Sequence, residues 1–192
     1  MKFKIFDLLA PIYPFFERLL FSGTREKMIQ EMELSQGDKI LDVGGGTGML
    51  LEKILKERSD VDVYLLDESK EMMQKAPTSH NKVRGKACRT PFDSETFDLV
   101  LCVDALHHFE NKSESLREMV RVLKPEGEIL ILELDPQSPL TKFIEFGEKL
   151  VGEPSYFFEP ETLKDFFSSR DFQTSIKKLH TYDYILQIKK SE

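Results

Sequence analysis

The residues with the most chemical content lie in one short segment, Asp42-Val43-Gly44-Gly45-Gly46-Thr47-Gly48. It runs from an apolar stretch straight into a helical pattern starting near Met49. Glycines at such a junction permit positive φ and let a ligand approach the backbone closely. Free loop amides and the following helix N-terminus favour a carboxylate or phosphate. A second acid, Asp67, ends the next apolar run about twenty residues further on, where a carboxylate can accept hydrogen bonds from both hydroxyls of a ribose. It could equally serve the start of the helix at Ser69, and the two roles are compatible. A third group follows another apolar run: Asp104-Ala105-Leu106-His107-His108-Phe109. Imidazoles titrate near neutrality, so His107 or His108 could act as a general base.

Two familiar phosphate-binding loops do not fit. The dinucleotide pattern G-x-G-x-x-G, begun at Gly44 and Gly46, would require glycine where Met49 stands. A P-loop needs G-K-[ST], and Gly48 is followed by Met49-Leu50.

The elements that must position these residues read as alternating strands and helices. Short runs rich in β-branched residues occur at Lys39–Val43, Val61–Leu66, Phe97–Val103 and Glu128–Leu134. Amphipathic stretches at about Gly48–Arg58, Ser69–Ala76 and Ser113–Leu123 separate them. Runs apolar at almost every position suit strands buried on both faces. Repeated βαβ units imply an α/β fold with a mostly parallel sheet covered by helices on both sides. Before this core, residues 3–21 and 24–34 read as helices, the first broken near Pro11 and Pro14. After it, Pro139–Val151 and Pro160–Ser169 read as helices. Phe172–Leu179 and Tyr182–Ile188 alternate as an antiparallel edge hairpin would.

The D-x-G-x-G-x-G form of the loop resembles the first motif of class I S-adenosylmethionine-dependent methyltransferases. The later segments follow that family in order: Asp67, then Gly85-Lys86-Ala87-Cys88-Arg89-Thr90-Pro91-Phe92, then Phe97-Asp98, Leu106-His107-His108, and Leu123-Lys124-Pro125-Glu126-Gly127. The resemblance is strong over residues 36–135 and loose elsewhere. It implies a Rossmann-like domain with S-adenosyl-L-methionine as cofactor. Asp42, Gly44, Gly45, Gly46 and Gly48 would surround the methionine end. Asp67 would hold the ribose, Glu68 beside it would also belong to the cofactor-binding residues, and Met72 would cover an adenine face. Lys86 and Ala87 would border the adenine, and Val103 and Asp104 would lie near the methionine or the acceptor. Lys86 replaces the acid that commonly reads the adenine amino group, and lysine cannot accept a hydrogen bond. Thr90 stands where an apolar residue is usual. The segment 121–128 is expected to turn the chain.

The N-terminal Phe6-Asp7-x-x-Ala10-x-x-Tyr13 resembles the helical cap of ubiquinone and menaquinone methylase-like enzymes, with Pro14 where those often carry Asp. The domain thus divides into a cap (1–35), a cofactor-binding core (36–135) and C-terminal helices with a hairpin (136–192). Tyr13 is the cap residue expected in the active site, beside one of His107 and His108. Phe143, Phe146, Tyr156 and Phe157 are further candidates to wall an apolar or aromatic acceptor. His80 and His180 have no motif around them and are expected at the surface.

Composition narrows the function classes. The 192 residues suffice for one well-filled domain. The formal charge of −7 disfavours a broad phosphate-binding surface, so no nucleic-acid partner is expected. No Asn/Asp-Pro-Pro-aromatic motif follows the Phe97–Val103 run, which argues against exocyclic base amines as acceptors. Cys88 and Cys102 form no metal-ligand spacing, and no metal is expected. Leu8–Phe16 is too short to span a bilayer, and a cytoplasmic location is expected. The reading is therefore a methyltransferase acting on O, N or C of a small molecule. A catalytically silent cofactor-binding regulator is the alternative.

Overall fold

In the computed structural model of the chain, residues 23–150, 155–168 and 171–190 are described. The helix expected over 3–21, and Tyr13 with it, lies outside them. Residues 23–30 are helical (α1). Then follow β1 (Lys39–Val43), α2 (Met49–Glu57), β2 (Asp62–Asp67), α3 (Lys70–Lys75), β3 (Asn81–Arg84), β4 (Phe97–Val103), a 3-10 turn at Leu106–His108, α4 (Lys112–Val122), β5 (Leu123–Leu134), α5 (Pro139–Leu150), α6 (Pro160–Asp165), β6 (Phe172–Lys178) and β7 (Asp183–Lys190).

The strands form one seven-stranded sheet in the order β3-β2-β1-β4-β5-β7-β6. The first five are parallel, and β7 pairs antiparallel with both β5 and β6. Neighbouring residues in the central strands feed opposite layers. Leu41, Val43, Val100, Cys102, Ile129 and Ile131 join the layer holding Leu116 and Met119 of α4 and Leu163 of α6. Ile40, Leu99, Leu101, Leu130 and Leu132 join the layer holding Met28 of α1 and Leu51 and Ile54 of α2. This two-sided burial explains why these strands are apolar at nearly every position.

Two elements depart from expectation. Strand β3 was not legible. Its sequence Asn-Lys-Val-Arg is polar, because it is an edge strand with no fully buried position. Strand β5 starts earlier than expected: Leu123 already pairs with Phe97. The register then shifts over Lys124–Gly127, where Glu126 takes φ 62°. The Pro-Glu-Gly segment does redirect the chain, but as an irregularity within a strand.

β1 lies between β2 and β4, so the connections leave it in opposite directions. Open α/β sheets form a ligand crevice at the carboxyl ends of strands at such a point.

Candidate cofactor cleft and acceptor corner

A cleft opens at that switch point. Of the predicted residues, Asp42, Gly44, Gly45, Gly46, Asp67, Glu68, Met72, Lys86, Ala87, Val103, Asp104 and His108 line it. Gly48 and His107 are not among its lining residues, and Tyr13 lies outside the described residues.

The loop is built from backbone demands that only glycine meets cheaply. Gly44 and Gly46 have φ of 76° and 55°. A Cβ on Gly45 would collide with the Asp42 carboxylate, so the first acid and the second glycine are packed as a pair. A Cβ on Gly46 would lie 3.3 Å from Met72 Cε, in the space between the loop and α3. Asp42 itself is 2% exposed.

Asp67 ties the parts together. One oxygen accepts the Gly46 N–H at 2.8 Å, and the other accepts the Ser69 N–H at 2.7 Å. The N-cap of α3 is Ser69, whose hydroxyl accepts the Met72 N–H at 3.1 Å. Asp67 therefore supports the helix start without being its cap. Carboxylate oxygens keep further lone pairs for hydroxyl donors. Beside it, burial raises the Glu68 pKa above the usual carboxylate value.

At the far end, Lys86 faces Glu110, with Nζ 3.5 Å from Oε2. Thr90 now has a reason. Its hydroxyl and N–H both donate to Glu118, at 3.1 and 2.8 Å, and Arg121 reaches the same hydroxyl at 3.1 Å. Thr90 is buried by a polar knot that holds the Lys86–Phe92 segment against α4. The Arg121 guanidinium beside Glu118 holds that carboxyl down at about 2.

The loop after β4 carries the imidazoles and begins at Asp104, a non-glycine residue at φ 49°. The turn sends the two rings to different places. His107 is 5% exposed. Its Nδ1 lies 2.8 Å from Oε2 of Glu133, itself fully buried on β5, and its N–H donates to Oε1 at 3.3 Å. Phe157 packs against its ring, tilted by 31° with centroids 4.2 Å apart. Burial pushes the Glu133 carboxyl well up and the His107 imidazole well down. His108 keeps an edge in the cleft. Its Nδ1 stands 3.4 Å from the Ser155 hydroxyl and its Nε2 3.8 Å from Glu148 of α5, and Ser155 donates to the same Glu148.

Several sequence readings are corrected here. His80 is not at the surface. It is 5% exposed and packs against the start of α2, where a Cβ on Gly48 would stand 2.6 Å from its Nδ1. A side chain on the fourth glycine would therefore collide with His80. His180 is part-buried: its N–H donates to Asp183 at 2.8 Å, and Asp183 also accepts the Thr24 hydroxyl of α1 at 2.8 Å. Phe143, Phe146 and Tyr156 are exposed, while Phe157 turns inward onto His107. The cleft also contains a residue the sequence did not single out. Arg25 of α1 is 3% exposed and lines the same wall as the glycine loop. Nothing in its neighbours along the chain distinguishes it from other helix-surface arginines.

The comparisons agree with this architecture. Residues 41–131 match the model of a methyltransferase domain. The ubiquinone/menaquinone biosynthesis C-methyltransferase UbiE of Cupriavidus metallidurans is 28% identical over 186 residues, covering 83% of this chain and 75% of that protein. The demethylmenaquinone methyltransferase of Thermotoga maritima is 26% identical over 204 residues, covering 98% and 86%. The chain is a class I S-adenosylmethionine-dependent methyltransferase. A solved S-adenosylmethionine-dependent methyltransferase of Thermotoga maritima, described as a possible histamine N-methyltransferase, superposes with a TM-score of 0.75 at 22% identity, covering 98% of this chain and all of that one (100%). That likeness speaks for the fold. The methyltransferase's cofactor is S-adenosylmethionine, and its acceptor is a small molecule. Nothing found supports a catalytically silent regulator. Among the described residues no helix is long and apolar enough to cross a membrane.

Proposed function

We propose that the methyltransferase acts on a hydroxylated aromatic ring of low charge, a quinol-like acceptor, at the corner of the cleft where His108 stands. One observation carries the reading: Asp67, the glycine loop, Asp104 and His108 share one continuous wall at the carboxyl ends of adjacent strands. In this reading the methionine chain runs beside Gly46, where a side chain would crowd Met72. Asp67 receives the ribose hydroxyls, and Met72 lies against the adenine. Arg25 meets the methionine carboxylate, for which a guanidinium is the fitting partner. Bound S-adenosylmethionine supplies an already activated methyl group on a sulfonium.

The protein then has three tasks. It aligns the acceptor in line with the S–CH3 bond, excludes water, and receives the proton the acceptor loses. His107 is unsuited to the last task, being buried with Nδ1 held at Glu133. His108 is the imidazole that meets the acceptor. The names of the two quinone-pathway relatives support an aromatic acceptor. The acidic net charge disfavours polyanionic ones. Tyr13 remains a proposed acceptor contact from the N-terminal segment.

The test is incubation with labelled S-adenosylmethionine and a panel of demethylated quinols, catechols, amines and nucleotides, read by mass spectrometry. Methylation of a quinol or catechol is expected, with turnover falling at least tenfold in His108→Ala while S-adenosylhomocysteine affinity is kept. Turnover confined to amines or nucleotides would overturn the reading.

A further inference from the structure

We propose that His107, His108 and Glu148 form a binding site for a borderline divalent transition-metal ion at the acceptor corner of the cleft. The proposal rests on the reading that His108 meets the acceptor there. Each of the three residues offers one ligand atom, and those atoms lie within 4.8 Å of one another. The ligands come from two separate elements, the turn after β4 and helix α5. Two imidazoles with one carboxylate suit zinc and its first-row neighbours better than calcium or magnesium.

The surroundings are those of a built site. Metal-bound histidines commonly donate the second ring nitrogen to a carboxylate, which fixes the tautomer and aims the first. His107 is placed for this arrangement: Glu133, with no exposed surface, lies 2.8 Å from Nδ1, and with the ring proton on Nδ1 and Glu133 ionised, as a bound cation would favour, Nε2 is the ligand atom. The His107 and His108 ring centroids are 4.0 Å apart, so the two imidazoles already sit side by side. Phe157 packs on the His107 ring, and the Tyr156 N–H donates to the His107 carbonyl at 3.3 Å, fixing the turn's backbone. Ser155 donates to Glu148, as outer-shell groups do to carboxylate ligands. A bound ion would draw the three atoms in to spacings of about 3.3 Å, the edge of a tetrahedron with bonds near 2.0 Å. Glu148 and His108 are partly exposed and can make that movement. The protein's net charge of −7 favours a cation.

Three protein ligands leave a coordination position for an oxygen of the acceptor. An ion there would lower the pKa of an acceptor hydroxyl and orient the ring. In the metal-loaded protein this activation would take the place of proton transfer to a free His108, with the acceptor held at the same corner.

The experiment uses the full-length protein, stripped with a chelator and dialysed. Zinc is titrated by calorimetry, and cobalt(II) by its visible ligand-field absorption. One equivalent of each is expected to bind, with the strong cobalt bands of a low-coordinate site. His108→Ala and Glu148→Gln should each weaken zinc at least tenfold, since loss of an outer-shell partner alone costs roughly 10- to 100-fold, while circular dichroism stays unchanged. Both residues are partly exposed, so neither variant depends on rebuilding the core. Failure to bind stoichiometrically, or undiminished affinity in both folded variants, would overturn the proposal. S-adenosylhomocysteine binding, measured on the same stripped protein, tests the cleft reading separately. Its loss with intact metal binding would refute that reading and not the metal site.

Discussion

The Asp67 carboxylate accepts the Gly46 N–H at 2.8 Å, joining the end of β2 to a loop 21 residues earlier. One acid thus shapes the glycine loop and also presents oxygens to the cleft. If Asp67 receives the ribose as proposed, removing it should act twice on the same ligand. Asp67→Ala should weaken S-adenosylhomocysteine binding by about 1.5–3 kcal/mol, roughly 10- to 150-fold in Kd, the scale of hydrogen bonds to a charged group. Calorimetry checks this. An unchanged Kd in folded protein would reduce Asp67 to a tether of the loop.

Gly46→Val should nearly abolish cofactor binding while leaving the helical and strand signals of circular dichroism in place. The new side chain would occupy the space before Met72 Cε, 3.3 Å from the Cβ position. A β-branched residue at φ 55° adds strain of about 1–2 kcal/mol. Normal affinity would place the ligand elsewhere.

Gly48→Ala should act differently, through stability. Its Cβ would meet His80 at 2.6 Å rather than the cleft, and φ is 71°. A loss of about 1–3 kcal/mol in denaturant unfolding is expected. The double variant Gly48→Ala/His80→Ala should unfold at higher denaturant than the sum of the single losses predicts, since the collision is gone. Cofactor affinity of the folded fraction should change little. A large loss of affinity with unchanged stability would return Gly48 to the binding loop.

Glu118 provides a pH test. Its hydrogen bonds from Arg121 hold its pKa at about 2, below the ordinary 4.5. A carboxyl depressed on folding contributes its stability above the unfolded value and loses it as pH falls through the folded one. Wild type should therefore exceed Glu118→Gln in stability at pH 7. The gap should close between about pH 4.5 and pH 2. A gap constant across that window would mean that shape, not charge, holds the Thr90 knot.

Much of the fold was legible because its signals are local. Phe97–Val103 reads as a doubly buried strand because every residue of it meets a core layer or a strand neighbour. Asp42 to Gly48 reads as a ligand loop because its backbone demands positive φ within a few residues. Strand β3 escaped because an edge strand with a polar sequence carries no periodic burial.

What the sequence determined by itself was the order of the central strands and the helices between them, the glycine loop and the acid that serves it. Each depends on hydrophobic period or backbone conformation over a short stretch. Tertiary structure alone decided which imidazole enters the cleft. His107 and His108 are adjacent and chemically identical, and it is Glu133, 26 residues away on β5, together with Phe157 that holds one of them inward. The same holds for Arg25 on the cleft wall and His80 behind Gly48. Their roles are set by packing between segments distant in the chain, and no local pattern encodes which distant surface a side chain will meet.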